Sequence, residues 1–235
     1  SSLINLLVNL FVGFSVGTNV VVARDMGSGR EEDVHSSVHT AITISLISGV
    51  LLAVLGVALS RQLLVWTAST PDVIDLATIY LRIYFIGMPV NMLYNFGSAI
   101  LRAQGDTRRP LYYLAIAGVT NVALNLLFVI VFRMSVAGVA LATIISQAVS
   151  ALLVVSCLMG DQGPLHLDLR KLRLDKRIVK RILQVGLPAG FQGIVFSLSN
   201  VVIQSSINSF GSTAIMAGSS ASANIEGFVY VSMNS

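Results

Sequence analysis

Amide side chains recur at helical intervals inside stretches that are otherwise apolar. Gly186, Gly190, Gly193, Ser197, Asn200, Gln204 and Asn208 advance by three or four residues and share one helix face. Gly87, Asn91, Asn95 and Ser98 repeat the pattern, as do Gly118, Asn121 and Asn125, and Asn5, Asn9, Gly13 and Gly17. An amide facing lipid loses its hydrogen bonds, so stripes of this kind suit a bundle around a partly hydrated cavity. The candidate binding residues are Asn91, Asn95, Asn121, Asn125, Asn200 and Gln204. The alternative for any one stripe is helix packing, in which Gly allows close approach and Asn or Gln bridges neighbours for roughly 0.6 kcal/mol.

Titratable chemistry is scarcer. Of 11 acidic residues, Glu226 is the one expected deep in an apolar segment, about 12 residues past a turn, or roughly 18 Å along a helix. A carboxyl at that depth is a functional candidate by default, able to take up a proton or pair with a cation. The alternative is a Glu bonded to a neighbouring helix, or one nearer the cytoplasmic surface. Arg82, flanked by Tyr80 and Tyr84, is expected to snorkel to the outer interface. Pro188, between Gly186 and Gly190, either begins a helix or kinks one, and a kinked helix is a candidate hinge. Cys157 is alone, and beyond the pair His35 and His39 no further Cys or His stands at ligand spacing, His166 included, so no metal site or cofactor is expected. Nothing assembles a nucleophile, a base and metal ligands, which argues against an enzyme.

These residues need long apolar helices to hold them. Seven stretches qualify: Leu3 to Ala23, Val38 to Leu59, Leu76 to Leu101, Leu111 to Phe132, Val136 to Met159, Ile182 to Phe210, and Ala214 onward. Each is long enough to cross a hydrocarbon core, which takes roughly 20 residues of helix. The chain from Ile182 to Ile225 is uncharged and too long for one span, so it must turn near Asn208 to Thr213. Hydrophobic residues make up 54% and charged ones 11%, with mean hydropathy +0.81, too little charge to cover a water-facing surface.

Lys and Arg alternate in abundance between connections. Odd-numbered ones hold Arg24 and Arg30, then Arg102, Arg108 and Arg109, then Arg170, Lys171, Arg173, Lys176, Arg177, Lys180 and Arg181; even-numbered ones hold only Arg61 and Arg133. The positive-inside rule makes the odd connections cytoplasmic. The net charge of +4 therefore reads as topology and contact with anionic lipid headgroups, with no nucleic-acid partner. In residues 160–181 Leu165, Leu167, Leu169, Leu172 and Leu174 interleave with charges. That segment either lies along the headgroup surface or forms a plain solvated linker.

Three segments resemble the multidrug and toxic compound extrusion (MATE) transporters. Leu10 to Asn19, followed by Val22-Ala23-Arg24 and Gly27-Ser28-Gly29-Arg30, resembles the family's second helix and the loop after it. Ile100 to Pro110, reading ILRAQGDTRRP, resembles the loop between helices 4 and 5, and Gly186-Leu187-Pro188-Ala189-Gly190 the opening of helix 7. The resemblance implies an all-α, polytopic bundle: helices 2 to 6 over residues 1–159, an inter-lobe linker over 160–181, and helices 7 and 8 over 182–235 of a twelve-helix, two-lobe transporter whose first and last helices are not in this chain. It implies a secondary active exporter of amphipathic, often cationic small molecules, coupled to H⁺ or Na⁺ by alternating access, monomeric and resident in a bacterial cytoplasmic membrane. Two family acids are replaced: an Asn-to-Asp pair four residues apart in helix 5 reads Asn121 and Asn125, and a helix 7 Glu reads Phe196. Glu226 then becomes the best visible coupling acid. A lipid-linked precursor flippase of the same superfamily, whose cavity is expected to be more cationic, and a seven-helix receptor are the rival readings.

Overall fold

A computed structural model describes residues 2–66, 71–134, 136–209 and 222, and all regular structure among them is helical. The helices are α1 (Ser2–Gly27), α2 (Glu31–Trp66), α3 (Pro71–Ile86), α4 (Met88–Ala103), α5 (Arg108–Leu126), α6 (Val136–Gly160) and α7 (Lys176–Ser209). A π-helical segment, Leu127–Val131, continues α5, and a 3₁₀ turn, Leu169–Lys171, interrupts the linker before α7. The seventh predicted span, Ser222 apart, and most of the turn before it lie outside the described residues.

Local chemistry explains the boundaries. α1 ends where Gly29 takes a left-handed φ of +69°, a conformation that favours glycine. α2 opens with Glu31, Glu32 and Asp33 in its first turn, where the helix dipole favours negative charge. Asp106 Oδ1 accepts from the Arg108 and Arg109 amides at 3.1 Å each and thereby starts α5.

The stretch Leu76 to Leu101, expected as one span, is two helices broken at Gly87. Pro89 has no N–H to return to the preceding turn. A Cβ on Gly87 would lie 2.6 Å from Ile144 Cγ1, and a Cβ on Gly49 of α2 would collide with the Pro89 backbone. The break is therefore clasped by α6 on one side and α2 on the other.

Phe85, Met88, Met92, Phe96 and Ile100 of α3 and α4 meet Ile42 and Leu52 of α2 and Val154 and Leu158 of α6 in one apolar core. α4 packs on α1, α2 and α6. α5 pairs with α6 and leaves Leu111, Val119, Val122 and Ile130 exposed, an apolar flank suited to lipid. Glu31–Gln62, Arg108–Val131, Val136–Gly160 and Lys176–Ser199 are each long and apolar enough to cross a membrane.

The linker departs from both expectations for it. Leu165 and Leu167 are fully buried in the core, and the Leu167 amide donates to the Leu158 carbonyl at 3.0 Å. Leu169 and Leu174 remain exposed. The segment is thus a strap seated on the helix ends; an alternating pattern buries one set of side chains only when a surface is there to receive them. α7 starts at Lys176, before the Ile182 boundary expected, and continues through Pro188 without a break.

Candidate transport site

On α5, Asn125 Nδ2 donates to Asn121 Oδ1 at 2.9 Å, Asn121 Nδ2 donates to Ser146 Oγ of α6 at 3.2 Å, and Ser146 donates to the Thr143 carbonyl at 2.8 Å. Every donor in this chain points the same way. Asn125 Oδ1 at its head is buried with no partner among the described residues. A buried acceptor left unpaired costs about 1–3 kcal/mol, so the position favours a donor or a cation that would fill it. The π-helical segment begins two residues later, and such segments collect at functional sites because they displace backbone bonding. Asn121 is therefore a helix bridge, and Asn125 is the member with unused capacity.

The other candidates divide. Asn95 Nδ2 donates to the Asn91 carbonyl at 2.9 Å and to Asn91 Oδ1 at 2.6 Å, closing that pair on its own helix. Among the described residues no hydrogen bond joins it to the α5 pair. Gly186 and Gly190 are contact points with α1: a Cβ on Gly186 would sit 2.8 Å from Phe14 Cα, and one on Gly190 would sit 2.8 Å from the Leu10 carbonyl. Gly13 and Gly17 meet them from the other side, and Asn9 Nδ2 donates to Ser197 Oγ at 2.9 Å. The α1 and α7 stripes thus serve close helix packing along these residues. Phe196 is exposed. Glu226, and the side chains of Asn200 and Gln204, lie outside what is described. Arg82 Nε donates to Ser60 Oγ of α2 at 3.4 Å, a partner the snorkelling expectation did not include.

One acid was missed by sequence reasoning. Asp25, one of the acids not expected deep in an apolar segment, lies in the last turn of α1 and is 3% exposed. Its Oδ2 accepts from Ser37 Oγ, and its Oδ1 lies 3.5 Å from Arg181 Nη1 of α7. Nothing in sequence spacing joins positions 25 and 181. Only the helical continuation through Met26, which turns Asp25 inward, carried a signal.

The basic connections gather at one end of the bundle. Arg109 reaches Cys157 at the end of α6, Arg173 Nη2 donates to Ser36 Oγ, and Thr43 Oγ1 donates to the Arg173 carbonyl at 3.3 Å. In the strap, the Arg170 amide bonded to Asp168, together with Lys171, holds the Asp168 carboxyl below the usual range. Among the described residues no group of three or more His, Cys, Asp or Glu side chains comes together to hold a metal.

Membrane-length helices with lipid-suited flanks, packed through glycine and bridged by amides, define an integral, multi-pass membrane protein. The MatE family model matches residues 1–127, and the chain belongs to this transporter family. A probable multidrug resistance protein, YoeA of Bacillus subtilis (strain 168), is 31% identical over 219 residues, 90% of this chain and 47% of that protein. YpnP of the same organism, also a probable multidrug resistance protein, is 30% identical over 211 residues, with 90% and 47% covered. A crystal structure of MATE in the bent conformation superposes with a TM-score of 0.84 at 25% identity, covering 94% of this chain and 49% of that one. These relatives and neighbours are transporters, not enzymes. The chain spans about half the length of the curated relatives it matches.

Proposed function

We propose that the chain is part of a secondary active exporter that moves amphipathic, often cationic small molecules in exchange for H⁺ or Na⁺. Two six-helix lobes of a twelve-helix protein would alternate access to a shared cavity, in a bacterial cytoplasmic membrane with the basic end of the bundle on the cytoplasmic side. The observation that carries this reading is the unpaired Asn125 acceptor at the head of a one-way hydrogen-bond chain, in a family whose relatives are named for multidrug resistance. An amide does not titrate in the physiological range, so Asn125 recognises and another group couples. Glu226 is the candidate for coupling.

The test is dye efflux from proteoliposomes holding the full-length transporter, driven separately by a proton and a sodium gradient. Efflux that follows one gradient and collapses in Glu226→Gln, with normal insertion, supports the assignment. Gradient-independent dye movement would sink the antiport reading, and wild-type efflux in Glu226→Gln would move the coupling acid elsewhere.

A further inference from the structure

The basic end of the bundle holds a charge pair that joins the two sides of the linker. Asp25 belongs to α1 and Arg181 to α7, with residues 161–175 and the whole of α2 to α6 between them in sequence. Asp25 occupies the C-terminal turn of its helix, where the free carbonyls make a negative charge unfavourable. It is nevertheless buried, and among the described residues its own side of the linker supplies only the Ser37 hydroxyl. Its counter-charge comes from α7. A buried carboxylate without such a partner is costly, so this one is matched to the arrangement in which α7 lies against α1.

Beyond the pair, the two helices meet along a seam of small residues. From Leu10 to Gly17 of α1, and from Ile182 to Gly190 of α7, backbone meets backbone through Gly13, Gly17, Gly186 and Gly190. The Phe14 and Leu10 side chains lie over Gly186 and Gly190, each 3.2 Å from where a Cβ would stand, so the seam is close-packed and the ion pair closes its end. An ion pair at the end of such a seam can part reversibly. Its Coulomb gain nearly balances its desolvation cost, and opening returns both charges to water. Arg181 is half exposed and already in contact with solvent, so hydration of the pair starts from its side.

We propose that Asp25 and Arg181, braced by Ser37, form a reversible latch that holds the basic mouth between α1 and α7 shut. The pair parts whenever that mouth opens. The proposal rests on the alternating-access reading given above.

Spin labels at Arg24→Cys and Lys180→Cys, both exposed positions beside the pair, report the mouth by electron–electron distance in nanodisc-held full-length transporter. Asp25→Asn keeps the shape and the Ser37 contact, and Arg181→Gln removes the cation at a half-exposed site, so both preserve packing. Each is expected to raise the ratio of long to short distances roughly two- to fivefold, the range for a partly exposed pair. Arg181→Lys should restore the short distance, and the double variant Asp25→Asn/Arg181→Gln should open no further than either single one. Single variants that leave a two-distance wild-type distribution unchanged, or whose effects multiply in the double variant, overturn the latch and leave alternating access standing. A wild-type distribution fixed at one distance with and without ion gradient and substrate overturns both.

Discussion

The amide of Asp168 donates to Nε2 of His39 at 3.1 Å, while Nδ1 of the same ring lies 2.8 Å from the His35 carbonyl. Together the two contacts call for a neutral imidazole with its proton on Nδ1, since Nε2 must accept. The ring is 1% exposed, so it pins the strap to α2 from inside the bundle. His39→Phe leaves the Asp168 amide without its acceptor and should loosen the strap, at a cost of about 1–3 kcal/mol. Trypsin cleavage at Arg170 and Lys171 should quicken accordingly. An unchanged cleavage rate would mean that Leu165 and Leu167 hold the strap unaided.

Two glycine substitutions should move stability in opposite directions. A Cβ on Gly17 would collide with the Ile182 carbonyl, a backbone atom that cannot turn aside, whereas a Cβ on Gly118 meets nothing within 4 Å. Gly17→Ala should lower the thermal midpoint through an overpacking cost of about 1–3 kcal/mol. Gly118→Ala should match or exceed wild type, by roughly 0.5–1 kcal/mol of helix propensity. Equal midpoints for the two variants in detergent would contradict the α1–α7 contact.

The two asparagines of α5 should separate in the same way. Asn121→Ala removes the bridge to Ser146 and should cost about 0.6 kcal/mol of stability. Asn125→Ala removes the unpaired Oδ1 together with the Nδ2 bond to Asn121, so it should weaken substrate binding at a stability cost no larger than that of Asn121→Ala. Dye-binding titrations beside thermal melts distinguish them. A stability loss at Asn125 larger than that at Asn121, with binding intact, would return both to helix packing.

Orientation is open to labelling. Lys171 is well exposed on the strap, with 71% of its side chain accessible, so Lys171→Cys should react in inverted vesicles. It should resist a membrane-impermeant maleimide applied to intact cells. Ready labelling from outside would invert the topology.

The hydropathy pattern made most of the helices legible, since α1, α2 and α6 each contain the apolar stretch expected of them, and α5 with its π-helical continuation covers the fourth as far as Val131. What escaped were features that depend on a neighbour. Hydropathy runs unbroken through Gly87, and Pro89 was the available sign that a helix ended there. Leu165 and Leu167 read as surface residues because the receiving surface, near His39 and Leu158, is assembled from distant chain. Asp25 shows the same limit in electrostatic form, its cation lying on α7. For the candidate site, spacing found Asn121 and Asn125, but whether an amide bridges or binds depends on Ser146, which no stripe on α5 reveals.

The strap also sets an order of assembly. Its partners His39 and Thr40 stand on α2, and the Asp168 and Asp175 amides that reach them follow some 130 residues later. During synthesis α1 to α6 therefore exist for a time with this end uncapped, and Asp25 waits still longer for Arg181. Helices α1 to α6 must insert and hold their shape before their own fastener emerges from the ribosome, which makes closure of the basic end a late event in biogenesis.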